Sequence, residues 1–280
     1  MTLPAPARLL LVLLATIVSG AETANDTAPI TQGLRLFAVH HSFHAPPFYD
    51  ILGEITRAAG IAGSTMSGDF YIGGSTVTAH WGGDGGKAAR TAMDAHSVDL
   101  LITTPIYLPD PGIESFARYG AEHEPAFRMA VMEFWLPFDN YELGNYLGGA
   151  KHVNPPATVD HNAATGEMLQ RIHARYFAEM DAQISDLNAK LGRQVILAVP
   201  VGQAVIALRE RILAGKVPGL KEQAQLFTDS LGHPATPLRV LMAYCHLAVI
   251  YRRSPVALPV PQALTGPDAP ALAKVLQELA

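Results

Sequence analysis

One cysteine in 280 residues leaves no partner for an internal disulfide. Cys245 lies in the apolar run from Val240 to Tyr251, so it reads as a small buried core residue and not as a reactive thiol. Charge is also sparse: 16% of residues are charged, the net charge is −5, and no block of lysine or arginine occurs. That excludes the basic footprint of a nucleic-acid-binding protein. The sequence has no HExxH-type spacing, and the alternative metal cluster, His40, His41 and His44, needs three or four convergent ligands to hold an ion. The glycine-rich run WGGDGG at 81–86 lacks a following GK[ST] and sits in no βαβ fingerprint. No cofactor or metal is therefore expected, and WGGDGG reads as a surface loop.

Long hydrophobic runs are missing too. The most apolar stretch, Leu9 to Val18, is too short for a comfortable membrane span. With Arg8 before it and the small residues Ser19-Gly20-Ala21 after it, it reads as a secretory signal over residues 1–21, removed on export to the periplasm or outside the cell. No stable membrane insertion is expected after cleavage. Residues 22–32 are small and polar and read as a disordered lead-in.

What is present is a long apolar chain, 49% hydrophobic, with no repeat and no linker. Residues 33–280 suffice for one α/β domain with a full core. Short buried-strand patterns at Leu34–Val39, around Phe70-Tyr71-Ile72, at Val98–Thr103, Phe127–Trp135 and Val195–Val201 alternate with helical patterns. The clearest helix is Glu167–Leu191, with Met168, Ile172, Tyr176, Met180, Ile184, Leu187 and Leu191 forming one stripe. Strands separated by helices imply βαβ units and a parallel sheet of about five strands.

The stretch LRLFAVHHSFHAPPFYD, Leu34 to Asp50, runs from strand to helix through His40-His41-Ser42-Phe43-His44. Ligands and reacting groups gather at such turns on α/β sheets. Ser42 is the hydroxyl of that turn and has two readings, nucleophile or helix cap. The loop Thr228-Asp229-Ser230-Leu231-Gly232-His233-Pro234 precedes the last long helical pattern. There Asp229 stands four residues before His233, close enough to hold one ring nitrogen of a catalytic base.

The order of a serine after strand one, Gly73-Gly74 after strand two and an Asp-His loop near the C-terminus resembles the SGNH (GDSL-type) hydrolase superfamily. The run from Leu226 to Leu258 is similar to that family's last block. The resemblance implies a single-domain, flavodoxin-like α/β/α sandwich. It implies Ser42 as nucleophile, His233 as base and Asp229 as the acid that orients it. It further implies the N–H groups of Ser42 and of Gly74, or Gly73, as oxyanion donors. The chain departs from the pattern in three places. The Gly-Asp before the serine is His40-His41, the Asp-to-His spacing is one residue longer, and the third-block Asn is missing where Thr103-Thr104-Pro105 stands. Thr104 is the substitute hydroxyl for that oxyanion donor.

His41 and His44 beside the serine, with Glu133 and Trp135 at the end of a strand, are the expected pocket residues, Trp135 as a sugar-stacking platform. Tyr71 and Trp81 are read as packing with a pocket wall as the alternative. The loop 139–165, with Asn140, Asn145, His152 and His161, is long enough for a lid or binding loop. The function expected is an exported serine hydrolase that removes a small acyl group, such as acetyl, from a carbohydrate. The alternative is a non-catalytic carbohydrate-binding or scaffold protein on the same fold.

Overall fold

A computed structural model describes residues 28–139, 146–147 and 158–280. The signal expected over 1–21 and the loop residues Asn140, Asn145 and His152 lie outside them. Residues 28–32 of the expected lead-in pack on the domain: the Ile30 N–H donates to the Tyr251 carbonyl, and Gln32 bridges Ala62.

Five parallel strands form one sheet in the order β2-β1-β3-β4-β5, with β1 Arg35–His40, β2 Thr65–Tyr71, β3 Leu100–Thr103, β4 Arg128–Met132 and β5 Ile196–Val199. Leu36 to Val39 and Leu100 to Thr103 are buried on both faces, as continuous apolar runs in a covered parallel sheet should be. The edge strand β2 is mostly exposed.

The helices are α1 Phe48–Ala58, α2 Val77–Gly82, α3 Asp84–Asp94, α4 Pro111–His123, α5 Gly166–Leu191, α6 Val201–Leu213, α7 Thr236–Tyr251 and α8 Ala269–Leu279. Helices α1 and α7 pack together on one face, with α7 also touching β4 and β5. Helices α3, α4 and α5 line the other face. The result is the α/β/α sandwich expected from the alternating patterns. Strand order reverses between β1 and β3, so the carboxyl ends of these two strands bound the crevice in which such sheets bind ligands.

Two local readings change. WGGDGG is not a surface loop: it closes α2 and opens α3. A Cβ on Gly86 would lie 2.3 Å from the Trp81 carbonyl oxygen, so glycine here allows one helix to turn directly into the next. On α5 the buried stripe starts with Leu169 and His173 in place of Met168 and Ile172, then follows Tyr176, Met180, Ile184 and Leu187. His173 is drawn inward because its Nε2 accepts the Leu136 N–H at 2.9 Å and its Nδ1 bonds the Leu169 carbonyl at 2.7 Å. Among the described residues no helix is long and apolar enough to cross a membrane.

Candidate active site

Strand β1 ends at His40, and Ser42–His44 form a single 3-10 turn before α1. His41 caps that turn, its Nδ1 accepting the Phe43 N–H at 3.4 Å. Ser42 is thus presented at the carboxyl end of the sheet, half-buried.

The loop before α7 reaches the same point from the other end of the chain. His233 Nε2 lies 2.8 Å from Ser42 Oγ. Its Nδ1 lies 2.6 Å from Asp229 Oδ2. Asp229 Oδ1 accepts the backbone N–H groups of Gly232 and His233 at 3.0 and 3.1 Å. A carboxylate on Nδ1 fixes the proton there and leaves Nε2 as an acceptor for the serine hydroxyl. Burial pushes the Asp229 carboxyl up, but the His233 ring and these N–H groups outweigh it and hold Asp229 below the ordinary carboxylate value. The longer Asp-to-His spacing is accommodated because the loop turns back on itself, with the Thr228 N–H donating to the His233 carbonyl at 2.9 Å.

The second strand delivers the glycines. Gly74 adopts φ +65°, a left-handed conformation that favours glycine. Neither the Ser42 nor the Gly74 N–H has an acceptor among the described residues. The turn that carries Gly74 is pinned from both sides. Ser75 Oγ lies 2.7 Å from His80 Nε2, which also meets the His40 carbonyl at 3.1 Å. Just beyond, Asp110 Oδ2 accepts the Val77 N–H at 2.8 Å. Its Oδ1 accepts the N–H groups of Thr78 and Gly112 at 3.0 and 2.9 Å, so one buried carboxylate caps both α2 and α4. Asp110 was not among the expected site residues. Its signal is the Asp-Pro-Gly of a helix start at 110–112.

These groups open into a cleft of about 430 Å³ lined by His41, Ser42, Gly73, Gly74 and His233. Its walls are mostly rings and aliphatic chains, among them Phe43, Ile106, Tyr107, Phe134, Phe138, Tyr146 and Leu231. Among the described residues no carboxylate, lysine or arginine lines it. Tyr71 is a wall residue, and Trp81 packs instead against Phe116.

The structure brings Ser42, His233, Asp229, Gly74 and His41 together, and it leaves four other expected residues out. The Thr104 hydroxyl is buried and donates to the Met132 carbonyl at 3.1 Å, so it is committed to the sheet. His44 is buried against Phe48 and His246, with ring centroids 4.7 and 5.1 Å away, and does not reach the cleft. Glu133 turns to the α6 side, where Gln203 donates to it at 3.2 Å, and burial lifts its carboxyl to about 7. Trp135 is 1% exposed and cannot stack a sugar. His41 itself is buried beside other histidines, and desolvation lowers its pKa to about 3. Among the described residues no three His, Cys, Asp or Glu side chains converge as metal ligands do.

Neither a scan against protein-family models nor a search of curated proteins returns a match. Among solved structures, the chain resembles a DUF4886 family protein from Bacteroides uniformis, with 13% identity over 88% of this chain and 93% of that one and a TM-score of 0.52. A Streptococcus pneumonia protein described as a provisional platelet activating factor aligns at 12% identity over 80% and 85% of the two chains, with a TM-score of 0.38. At such identities the first likeness bears on the fold alone, and the second is too loose to bear on it. The class that fold and site define is an α/β/α sandwich with a Ser-His-Asp constellation at the carboxyl edge of its sheet.

Proposed function

We propose that this protein is a serine hydrolase of carboxylic esters, related to the SGNH hydrolases. The observation that carries the reading is the unbroken chain Asp229–His233–Ser42, with contacts of 2.6 and 2.8 Å, at an open cleft. His233 Nε2 takes the serine proton as Ser42 Oγ attacks the ester carbonyl. The carbonyl oxygen becomes an oxyanion against the N–H groups of Ser42 and Gly74. The tetrahedral intermediate then collapses, and the alcohol leaves with the proton from His233. Water, activated by the same ring, releases the acid from the acyl-enzyme. Thr104 takes no part, so the oxyanion has one donor fewer than the SGNH pattern. Loss of one such donor typically costs about 100- to 1000-fold in turnover.

The cleft's apolar walls support an uncharged ester with an apolar acyl or alcohol group more than an acetylated sugar. The run Leu9–Val18 after Arg8 supports export.

Turnover of p-nitrophenyl butyrate, p-nitrophenyl acetate and an acetylated xylooligosaccharide tests both parts. Hydrolysis of the aryl esters, with butyrate favoured, is expected. Preference for the xylooligosaccharide overturns the apolar-substrate part, and no hydrolysis of any ester overturns the reading.

A further inference from the structure

The acid and the base sit on a loop outside any helix or strand. Asp229 is exposed, His233 is half-buried, and α7 starts only at Thr236. Yet four of the five carbonyls from Asp229 to His233 are engaged. Within the loop, Gly232 donates to Asp229 and Thr228 to His233. From outside it, the Phe138 N–H reaches the Leu231 carbonyl at 3.2 Å, Trp135 Nε1 donates to the Gly232 carbonyl at 3.0 Å, and His161 Nε2 lies 3.0 Å from the Asp229 carbonyl.

Both side-chain donors are themselves fixed. The Trp135 ring stacks on Phe43 with centroids 4.8 Å apart and planes 13° apart. Trp135 therefore touches the residue after the nucleophile and bonds the residue before the base. His161 is 5% exposed, and its Nδ1 lies 2.9 Å from Asp139 Oδ2. Arg209, buried on α6, grips both oxygens of Asp139 at 2.6 Å, donates to the His161 carbonyl at 2.9 Å and bonds Gln223 at 2.7 Å. The His161 ring thus spans from the Arg209-held Asp139 carboxylate to the Asp229 carbonyl. A buried ion pair adds little net stability, because its desolvation offsets its attraction.

We propose that Trp135 and His161 are positioning residues for the base, holding the Asp229–His233 loop by its backbone carbonyls so that His233 stays in register with Ser42. This rests on the ester-hydrolase reading. Neither side chain lines the cleft, so each acts through the loop. Small displacements of a catalytic group are costly: a shift of about 1 Å can lose about 100-fold in rate.

The test uses the full chain and three variants. Trp135→Phe keeps an aromatic ring to pack on Phe43 and removes the indole N–H. His161→Leu removes the donor, and His161→Gln restores one. The account expects kcat on an aryl ester to fall about 10- to 100-fold in Trp135→Phe and His161→Leu. KM stays unchanged, and His161→Gln recovers part of the loss. If His161→Leu does not fold, the other two variants decide. Crystal structures of Trp135→Phe and His161→Gln give a reading that needs no substrate. The account expects His233 to move away from Ser42 in Trp135→Phe, and less so in His161→Gln. Wild-type kcat in Trp135→Phe and the folded His161 variants overturns the proposal, as does an unmoved His233 in both structures. Ser42→Ala is run alongside. If it hydrolyses ester as fast as wild type, the hydrolase reading falls, and the structures still judge the positioning.

Discussion

His233 Nε2 stands 2.8 Å from Ser42 Oγ across 191 residues of chain. The contact joins the turn after the first strand to the loop before α7, and the packing of α1 against α7 brings the two ends together. A merely capping serine has no need of such a partner.

Asp229 gives the first prediction. Asp229→Asn keeps the size of the side chain but offers His233 an amide in place of a carboxylate, which disturbs the tautomer that leaves Nε2 free. By analogy with other triads the loss in kcat is about 10,000-fold. The thermal midpoint should move little, because the Asp229 side chain is 45% exposed. Steady-state kinetics beside a melting curve checks both. A loss of less than about 10-fold means that another group orients the base.

Thr104 and Gly74 should separate stability from turnover. Thr104→Val removes a buried hydroxyl that donates to a strand carbonyl, at a cost of about 1 kcal/mol in stability. It leaves kcat within about 2-fold, since Thr104 touches no reacting group. Gly74→Ala forces a side chain onto φ +65° at the turn proposed to hold the oxyanion, and kcat should fall about 100-fold as that N–H shifts. Denaturant melts and kcat for the two variants give the answer; a Thr104→Val variant crippled in kcat contradicts the assignment.

Acid stability follows from the histidines that the fold keeps uncharged. Desolvation lowers His41 to about 3, His173 and His246 to about 4, and His44 well below its ordinary value. Below about pH 6.5 the unfolded chain takes up protons that the folded chain refuses, so stability falls as pH drops from about 6.5 toward 4, by about 1.4 kcal/mol per pH unit for each proton. Glu133 works the other way. Its folded value of about 7 lies above the 4.5 of a free glutamate, so its contribution is lost as pH rises from 4.5 to 7. Four histidines outweigh one glutamate, and the urea midpoint should fall steeply below pH 6. His246→Phe should flatten that slope, because the ring's one bond is to a carbonyl of its own helix, at Met242. A midpoint constant between pH 7 and 5 contradicts this.

The parts legible in the sequence are those written in neighbouring residues. The strand-to-helix run Leu34–Asp50 carries its own burial pattern and turn. The Asp229–His233 loop carries acid and base within five positions. The parallel sheet follows from the alternation of patterns. What escaped is what distant residues decide together. Asp139, His161 and Arg209 form one cluster from positions 22 and 48 residues apart in succession, and no local pattern marks it. Trp135 and Glu133 were expected at the site because their strand ends there. They leave it because of which side each takes: Glu133 faces α6, and Trp135 goes beneath the Ser42 turn. Thr104 occupies the position of a missing Asn, yet the neighbouring strand claims its hydroxyl.

Reaction of the chain with a fluorophosphonate, followed by peptide mass spectrometry, tests the central claim that Ser42 is a nucleophile activated by His233. The account predicts one adduct, on Ser42, forming at least about 100-fold more slowly in His233→Ala. No adduct on Ser42, or labelling at the same rate without His233, contradicts it.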